Sequence, residues 1–386
     1  MINDFLQPVE PEVSAFVKGL SPQHFGSRIL LHDHLGLPDL GKVQLALVGV
    51  ADSRGAGRSD SADLIRLRKE LYTLFFGNWD CTIADLGNIE QGASLEDTYF
   101  ALNQTASFLL KKKIVLIVLG GSQDLTYPLY RAYDHSGKMV NLVSVDSRFD
   151  FGRADLPVSS DSYLTKIIME EPNNLLGFSN IGYQVYYNAQ EEVDLIEKLF
   201  FDAYRLGEVG SDITLVEPVL RDADIVSVDF FSVQSVYTGN FSKFVPNGFT
   251  GKEICALARY AGISDRVSVL GLFNTDGNLS SEAVLQSQII WYFIEGYCCR
   301  YKEFPETEIN NFLKYIVSLA DDEELVFYKS EFSQRWWMQV VYDKAKENKS
   351  ANFTLLPCRY EDYVEASQGI YPERWWKAQK KYLAIQ

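Results

Sequence analysis

Short apolar runs alternate along the chain with longer segments in which apolar residues recur at helical spacing. The runs are rich in β-branched residues and their polarity does not alternate, which is typical of parallel strands buried on both faces. Five such runs are predicted as strands: Val43–Val50, Ile114–Leu119, Met139–Val145, Ile225–Val228 and Arg266–Leu270.

Two helices are predicted among these strands. The first covers Ser94–Lys112, where Ser94 and Asp97 have the spacing of a capping box and lysines at the end complement the helix dipole. The second covers Ser281–Glu295, and Gly296 is predicted to end it. The alternation of strands and helices favours a parallel sheet covered by helices on both faces. Ligands of such sheets bind beyond the carboxyl ends of the strands, so the residues that follow each strand matter most.

The alternation fades near Lys302, and the chain beyond it has a different character. We predict an N-terminal segment over 1–39, an α/β domain over 40–302 and a Trp-rich C-terminal appendage over 303–386 that packs on this domain.

Four of the six tryptophans lie in that appendage, in the strings Arg335-Trp336-Trp337 and Arg374-Trp375-Trp376. Neighbouring residues of a helix point about 100° apart, so we expect one ring of each pair to be buried and the other to be partly exposed. Packing of the appendage onto the domain is the favoured role. Docking of a protein partner is the alternative, because Trp and Arg are enriched at interface hot spots.

The composition excludes some classes of protein. The 386 residues carry 36 Lys plus Arg against 52 Asp plus Glu, a formal net charge of −16, whereas nucleic-acid binding needs clustered basic side chains. The run Ile114–Leu119 is far shorter than the roughly 20 apolar residues of a membrane span. The chain opens without a cationic segment followed by an apolar one, so we expect no signal peptide and a cytoplasmic location.

Cysteine and histidine are both scarce. The five cysteines contain no Cys-x-x-Cys pair and are expected to be reduced thiols. Two of the four histidines lie in the string His32-Asp33-His34, which we predict to be a surface turn and not a ligand cluster.

Four polar segments follow the predicted strands or start a helix. They are Gly120-Gly121-Ser122-Gln123-Asp124, Asp146-Ser147-Arg148-Phe149-Asp150, the stretch 227–234 from Ser227 to Gln234, and the stretch 246–253 from Pro246 to Glu253. Their order and surroundings resemble those of the arginase–agmatinase–formimidoylglutamase (ureohydrolase) family. The segment Pro246-Asn247-Gly248-Phe249-Thr250 is most similar to the formimidoylglutamase-like branch.

The resemblance implies an arginase-like three-layer α/β/α sandwich and metal chemistry. Members carry Gly-Gly-Asp-His-Ser, Asp-Ala-His-x-Asp and Ser-x-Asp-x-Asp-x-x-Asp, and two histidines and four aspartates of these motifs hold two Mn²⁺ ions. The ions activate a water that attacks a guanidinium or formimino carbon. In this chain the six ligand positions fall on Gln123, Asp146, Arg148, Asp150, Asp229 and Phe231.

Three of the six ligand positions have therefore lost their donor. Gln123 and Arg148 replace histidines and Phe231 replaces an aspartate, and an arginine is a fixed cation that cannot ligate a metal. We expect no cofactor and no stoichiometric Mn²⁺. We predict a protein without the binuclear manganese site that acts as a non-hydrolytic binding or scaffold protein, whose partner is an unknown protein or a small ligand. Whether this chain forms a homo-oligomer, as members of the family do, is left open by the sequence.

The alternative is a formimidoylglutamase-like hydrolase that cleaves C–N bonds of linear amidines or guanidines with one weakly held Mn²⁺ or with no metal. Asp124 and Glu253 are its candidates for the substrate side. Glu253 also follows Thr250 at the spacing of a capping box, and we favour that structural role.

The retained aspartates lead to one geometric prediction. Carboxylates gathered at one sheet edge need a cation or protons to relieve their repulsion. We predict that Arg148 forms a buried ion pair with at least one of Asp146, Asp150 and Asp229.

Overall fold

The computed structural model of the protein describes residues 2–59, 62–276, 279–303, 305–319, 323–343 and 352–385. The strands are β1 (Leu6–Gln7), β2 (Leu30–Leu31), β3 (Leu45–Val50), β4 (Ile83–Ile89), β5 (Val115–Leu119), β6 (Val140–Val145), β7 (Leu175–Tyr183), β8 (Asp202–Arg205), β9 (Ile225–Asp229), β10 (Val269–Phe273), β11 (Leu313–Ser318), β12 (Glu324–Lys329), β13 (Trp336–Asp343) and β14 (Asn352–Cys358). The helices are α1 (Pro11–Lys18), α2 (Leu64–Thr73), α3 (Leu95–Lys111), α4 (Thr126–Arg131), α5 (Tyr163–Met169), α6 (Gln190–Lys198), α7 (Leu206–Ser211), α8 (Glu217–Asp222), α9 (Ser235–Thr238), α10 (Gly251–Ile263), α11 (Ser280–Cys298), α12 (Pro305–Glu308), α13 (Tyr360–Ser367) and α14 (Glu373–Ile385).

The first ten strands form one sheet. Its order is β1-β4-β3-β5-β10-β9-β6-β7-β8, and β2 pairs with β4. The pairing of β1 with β4 is antiparallel, and the other described pairings in this sheet are parallel. The predicted mainly parallel sheet is therefore confirmed.

Alternate residues of the central strands face two separate cores. Leu45 and Leu47 of β3 lie in a buried cluster with residues of α2, α10 and α11. Ala46 and Val48 lie in a second cluster with residues of α3, α4 and α5. Because every residue of β3 is buried, its sequence is apolar without alternation. The two cores on either side of one sheet confirm the three-layer α/β/α sandwich.

The predicted strands lie where the structure has β3, β5, β6, β9 and β10, although β10 begins later than predicted. Arg266 lies ahead of this strand, and its guanidinium donates to Asp222 at 3.0 Å and to Asp224 at 2.9 Å. The capping box of α3 is confirmed, since Ser94 and Asp97 exchange both of its hydrogen bonds.

The predicted end of the second helix is wrong. Helix α11 continues through Gly296 to Cys298. A Cβ on Gly296 would lie 2.4 Å from the carbonyl oxygen of Arg259 in α10. The glycine therefore permits the close approach of two helices, and it does not end one.

The prediction for His32-Asp33-His34 is wrong for its first residue. His32 follows the short strand β2, is buried, and places Nδ1 2.9 Å from the carbonyl oxygen of Leu86. The turn begins one residue later, where Gly36 N–H donates to the carbonyl of Asp33. His34 is exposed there, as predicted.

Strands β11 to β14 form a second, antiparallel sheet. It encloses a small apolar cluster that includes Phe327, Trp336 and Met338. Arg221 of α8 connects the two sheets, because its Nη2 donates to the carbonyl oxygens of Trp336 at 3.2 Å and Cys358 at 3.0 Å.

The prediction for the tryptophan pairs is wrong for the first pair. Trp336 and Trp337 lie in strand β13, so their rings point to opposite faces of a sheet that is covered on both sides. They are 7% and 5% exposed. In the second pair only the exposed member is as predicted, because Trp376 is 46% exposed, whereas Trp375 of helix α14 is half-buried and not buried.

Two further expectations concern the whole chain. All five cysteines are free thiols. Among the residues that the structure describes, none of the helices has the length and apolar character needed to cross a bilayer.

Candidate functional site

The three retained aspartates lie together at the carboxyl edge of the parallel sheet. Asp229 ends β9, and Asp146 and Asp150 follow its neighbour β6. Their exposed fractions are 6%, 1% and 7%, respectively. All three line one cavity of about 390 Å³. The expectation that the strand ends gather these carboxylates is confirmed.

The backbone directly after each strand holds part of this cluster. Asp146 Oδ1 accepts the N–H of Arg148 at 2.9 Å, and Asp229 Oδ1 accepts the N–H of Phe231 at 2.6 Å. Asp229 Oδ2 accepts Nδ2 of Asn274 at 2.8 Å. Asp146 Oδ2 and Asp150 Oδ2 are buried without a hydrogen-bond donor among the described residues.

Burial makes the charged state of these groups costly. Desolvation, followed by repulsion from Asp150 and Asp229, raises the pKa of Asp146 well above its usual value. The pKa of Asp150 is raised in the same way, first by burial and then by Asp229. Burial raises the pKa of Asp229 to about 6, although the hydrogen bonds from Phe231 and Asn274 counteract part of this shift.

The predicted ion pair of Arg148 is wrong. Its side chain is exposed, and its guanidinium lies 5.2 Å from the centre of the Tyr187 ring. The ion pairs of the described residues do not include Arg148 with any of the three aspartates. An exposed guanidinium keeps its hydration and gains the ring contact, whereas a buried pair would have to repay the desolvation of both charges. The raised pKa values of the three aspartates show that burial and mutual repulsion favour proton binding in this cluster.

Gln123, at the first lost ligand position, lies in the interior. Its side chain is 0% exposed, and Nε2 donates to the hydroxyl of Ser227 at 2.9 Å. The backbone N–H of Gln123 donates to Oδ1 of Asn274 at 3.3 Å. The amide is thus part of the packing beneath the cavity.

The two candidates for the substrate side do not line the cavity above the aspartates. Asp124 is buried and accepts hydrogen bonds from the hydroxyls of Tyr99 at 2.6 Å and Ser160 at 3.1 Å. Glu253 accepts the N–H of Thr250 at 2.8 Å, and its own N–H donates to Thr250 Oγ1 at 3.2 Å. Both bonds of the capping box are present, which confirms the structural role that we favoured for Glu253.

Sequence reasoning missed two groups that line the cavity. Lys243, in the segment between α9 and α10, places its ammonium 4.5 Å from the centre of the Phe231 ring. No local pattern marks this lysine. Asn274 directly follows strand β10, and the rule that ligands lie beyond strand ends could have found it.

Two divalent cations need several suitable ligand atoms at these six positions. Mn²⁺ prefers carboxylate and imidazole ligands. The three replaced positions carry the buried amide of Gln123, the exposed guanidinium of Arg148 and the aromatic ring of Phe231. The ammonium group of Lys243 lies over that ring. Within the described ranges, no group of three or more His, Cys, Asp and Glu side chains has an arrangement that could hold a metal ion. Three of the six positions therefore carry neither a carboxylate nor an imidazole.

The mainly parallel sandwich and its strand-end aspartates define a protein of the ureohydrolase fold class. The sequence matches the arginase family over residues 48–272, which is more than half of the chain. The chain therefore belongs to the arginase family.

Solved structures agree with this assignment. A formiminoglutamase from Trypanosoma cruzi that contains Mn²⁺ has a TM-score of 0.61 at 18% identity, over 67% of this chain and 94% of that one. Formimidoylglutamase from Bacillus subtilis has a TM-score of 0.60 at 15% identity, over 69% and 93%. Agmatine ureohydrolase from Thermoplasma volcanium has a TM-score of 0.58 at 15% identity, over 73% and 97%. At these identities the likeness shows the fold alone. A search of curated proteins found no significant match.

Proposed function

We propose that this member of the arginase family lacks the binuclear manganese site, does not hydrolyse ureas, and acts as a binding protein. The cleft above Asp146, Asp150 and Asp229 is its candidate ligand surface. The observation that carries the proposal is the contact of the Lys243 ammonium with the Phe231 ring at 4.5 Å. The position that the family resemblance assigns to a carboxylate ligand thus carries an apolar ring, and an ammonium group lies over that ring.

The other two replacements support the same proposal. The Gln123 amide is engaged with Ser227 inside the protein, and the exposed guanidinium of Arg148 lies against the Tyr187 ring. The cavity of about 390 Å³ combines buried acids with a basic and aromatic rim of Arg148, Lys243 and Tyr187. Such a volume lies within the roughly 300–1,000 Å³ of small-molecule sites. The occupant of this cleft is therefore proposed to be a small ligand or a protein segment with both polar and apolar groups.

The test combines metal content with hydrolysis. The protein is dialysed with Mn²⁺, freed of excess metal and analysed by elemental analysis, and urea or formamide release is measured from arginine, agmatine and formiminoglutamate. We expect far less than one Mn²⁺ per chain and no product above the blank. Close to two Mn²⁺ per chain with turnover would overturn the proposal.

Two variants serve as controls for this test. Arg148→His alone is expected to leave metal content unchanged, because Gln123 and Phe231 still lack suitable donors. The triple variant Gln123→His, Arg148→His, Phe231→Asp restores all six donors. Uptake of Mn²⁺ by the triple variant alone would attribute the loss to these positions and not to the fold.

A second candidate function is a formimidoylglutamase-like hydrolase with one metal ion. The observation in its favour is that Asp146 Oδ2 and Asp150 Oδ2 are buried acceptors without a hydrogen-bond donor among the described residues. Hard oxygen ligands of this kind suit Mn²⁺. One bound Mn²⁺ together with formamide release from formiminoglutamate would establish this candidate and exclude the first.

A further inference from the structure

We propose that Cys81 and Cys298 are a modification site, at which a peroxide converts two neighbouring thiols into an intramolecular disulfide. Sγ of Cys298 donates to Sγ of Cys81 at 3.0 Å, although the two residues are 217 positions apart in the sequence. Neither residue lines the cleft above the aspartates, so this site is independent of the function proposed for that cleft.

The segment that carries Cys81 is held by its neighbours. Thr82 N–H donates to Oε1 of Gln44 at 3.0 Å, and the carbonyl of Thr82 accepts the N–H of Gln44 at 2.9 Å. The centre of the Trp79 ring lies 5.0 Å from the centre of the Trp291 ring in α11. Cys81 is therefore fixed ahead of β4 and beside α11.

The partner thiol is also on anchored backbone. Cys298 is the last residue of α11. Two positions further on, Arg300 donates from Nε to the carbonyl of Gly262 at 2.9 Å and from Nη2 to the carbonyl of Val267 at 2.6 Å. Because both cysteines have defined positions, their contact does not depend on a chance encounter of moving segments. Such preorganisation favours reaction within the pair over reaction with a second molecule.

The two thiols have different roles in the reaction. Both are partly exposed, so a peroxide can reach them. The hydrogen bond from Cys298 lowers the pKa of Cys81, which favours its thiolate, the form that attacks peroxides. The contact with Cys81, followed by burial, raises the pKa of Cys298. Cys81 is therefore the thiol that is oxidised first, and Cys298 is the thiol that then attacks the oxidised sulfur.

The reaction balances with hydrogen peroxide as the oxidant. The Cys81 thiolate attacks one peroxide oxygen and the O–O bond breaks, which gives a sulfenic acid on Cys81 and a hydroxide that is protonated to water. The sulfur of Cys298 then attacks the sulfenic sulfur, the S–S bond forms, and the hydroxyl group leaves as water with the proton of Cys298. Two thiols thus lose two electrons to one peroxide, and the products are one disulfide and two waters.

The other cysteines provide the contrast that tests the proposal. Cys299 is exposed, whereas Cys255 and Cys358 are buried. If exposure alone determined reactivity, Cys299 would be oxidised first. If contact between two thiols determines it, Cys81 and Cys298 react and Cys299 remains a thiol.

The test treats the reduced full chain with one equivalent of hydrogen peroxide, then counts free thiols after denaturation and maps the peptides. We expect the loss of two of the five thiols, a cross-linked peptide that joins Cys81 to Cys298, and recovery of both thiols with dithiothreitol. Oxidation should also raise the melting temperature by roughly 5 °C, because the cross-link restricts the unfolded chain. An unchanged thiol count would overturn the proposal, and so would oxidation of Cys299 with the pair left intact.

Variants locate the cross-link. Cys81→Ser and Cys298→Ser each remove one sulfur of the pair, so each should abolish both the intramolecular disulfide and the rise in melting temperature. Cys299→Ser is the matched control, because residues 298 and 299 are adjacent and fall in the same proteolytic peptide. We expect Cys299→Ser to lose two thiols on oxidation, as the parent protein does. A disulfide that persists in Cys298→Ser and is absent from Cys299→Ser would refute the assignment.

Discussion

At the scale of single residues, burial of Glu282 raises its pKa more than the helix dipole and nearby hydrogen-bond donors lower it. It lies in the first turn of α11, where the helix dipole favours a negative charge. It also accepts the N–H of Asp276 at 2.5 Å and Nε2 of Gln286 at 3.3 Å. The side chain is nevertheless only 1% exposed, and desolvation raises its pKa to about 8. The folded protein therefore holds a proton at this position that the unfolded chain releases near pH 4.

This shift predicts a pH-dependent effect of Glu282→Gln. Because the pKa is raised in the folded state, the contribution of this group to stability is fully present below about pH 4 and is lost as the pH rises towards 8. The glutamine side chain keeps an oxygen that can accept the N–H of Asp276, and it has no ionisable group. We expect equal free energies of unfolding at pH 4.5 and a gain on the order of a few kcal/mol for the variant at pH 8.5.

The measurement is urea denaturation at both pH values, with Glu191→Gln on the exposed face of α6 as the control. A variant that is less stable than the parent protein at pH 8.5 would contradict the prediction.

At the scale of secondary-structure elements, the crossing of α10 and α11 depends on two glycines. A Cβ on Gly296 would lie 2.4 Å from the carbonyl oxygen of Arg259 and 3.0 Å from Cα of Gly262. Both helices also supply buried side chains to the same core cluster. The separation of these two helices is therefore set by the missing side chains at their contact.

Gly296→Ala is expected to destabilise the protein despite the better helix propensity of alanine. The propensity gain is about 1 kcal/mol, whereas forced separation of packed helices costs about 1–3 kcal/mol. Gly207→Ala in α7 is the matched control, because a Cβ there meets nothing within 4 Å. We expect Gly207→Ala to be neutral or slightly stabilising in denaturant unfolding. Equal effects of the two substitutions would show that the helix crossing tolerates a side chain.

At the scale of the whole molecule, the second sheet is attached to the sandwich through Trp337 and Arg221. The guanidinium lies 4.8 Å from the centre of the Trp337 ring, and Phe312 packs edge-on against that ring at 5.3 Å. Trp376 differs, because its side chain is 46% exposed. The centre of its ring lies 5.9 Å from the centre of the Phe200 ring. Packing within the chain therefore explains the positions of Trp336 and Trp337. Trp376 is the most exposed of the four rings and stays a candidate for contact with a protein partner.

Trp337→Ala is expected to cost about 3–5 kcal/mol of unfolding free energy, as is typical when a buried tryptophan is removed. Trp376→Ala should cost far less, because surface substitutions usually change stability by about 0.5 kcal/mol or less. Near-UV circular dichroism during denaturation measures both variants. If Trp337→Ala were as mild as Trp376→Ala, the second sheet would be only loosely attached.

The sequence by itself determined the sandwich and the gathering of its strand-end aspartates. Buried parallel strands must be apolar on both faces, so runs such as Ile114–Leu119 are visible without any knowledge of their neighbours. The carboxyl ends of parallel strands lie at one edge of the sheet, and the family resemblance implies that Asp146 and Asp229 lie close together there. The capping boxes of Ser94 and Thr250 are local as well, because each involves residues only three positions apart.

Only the tertiary structure decided where the longer side chains point and what surrounds them. The sequence places Arg148 between two aspartates, yet its exposed guanidinium lies against the ring of Tyr187, which is distant in sequence. Lys243 reaches Phe231 from a segment that no pattern marks. Trp336 and Trp337 are both buried because they lie on opposite faces of β13, where Tyr363 of α13 packs on the first ring and Arg221 of α8 on the second. These outcomes rest on contacts between residues distant in sequence, and a local pattern of apolar and polar positions contains no information about such contacts.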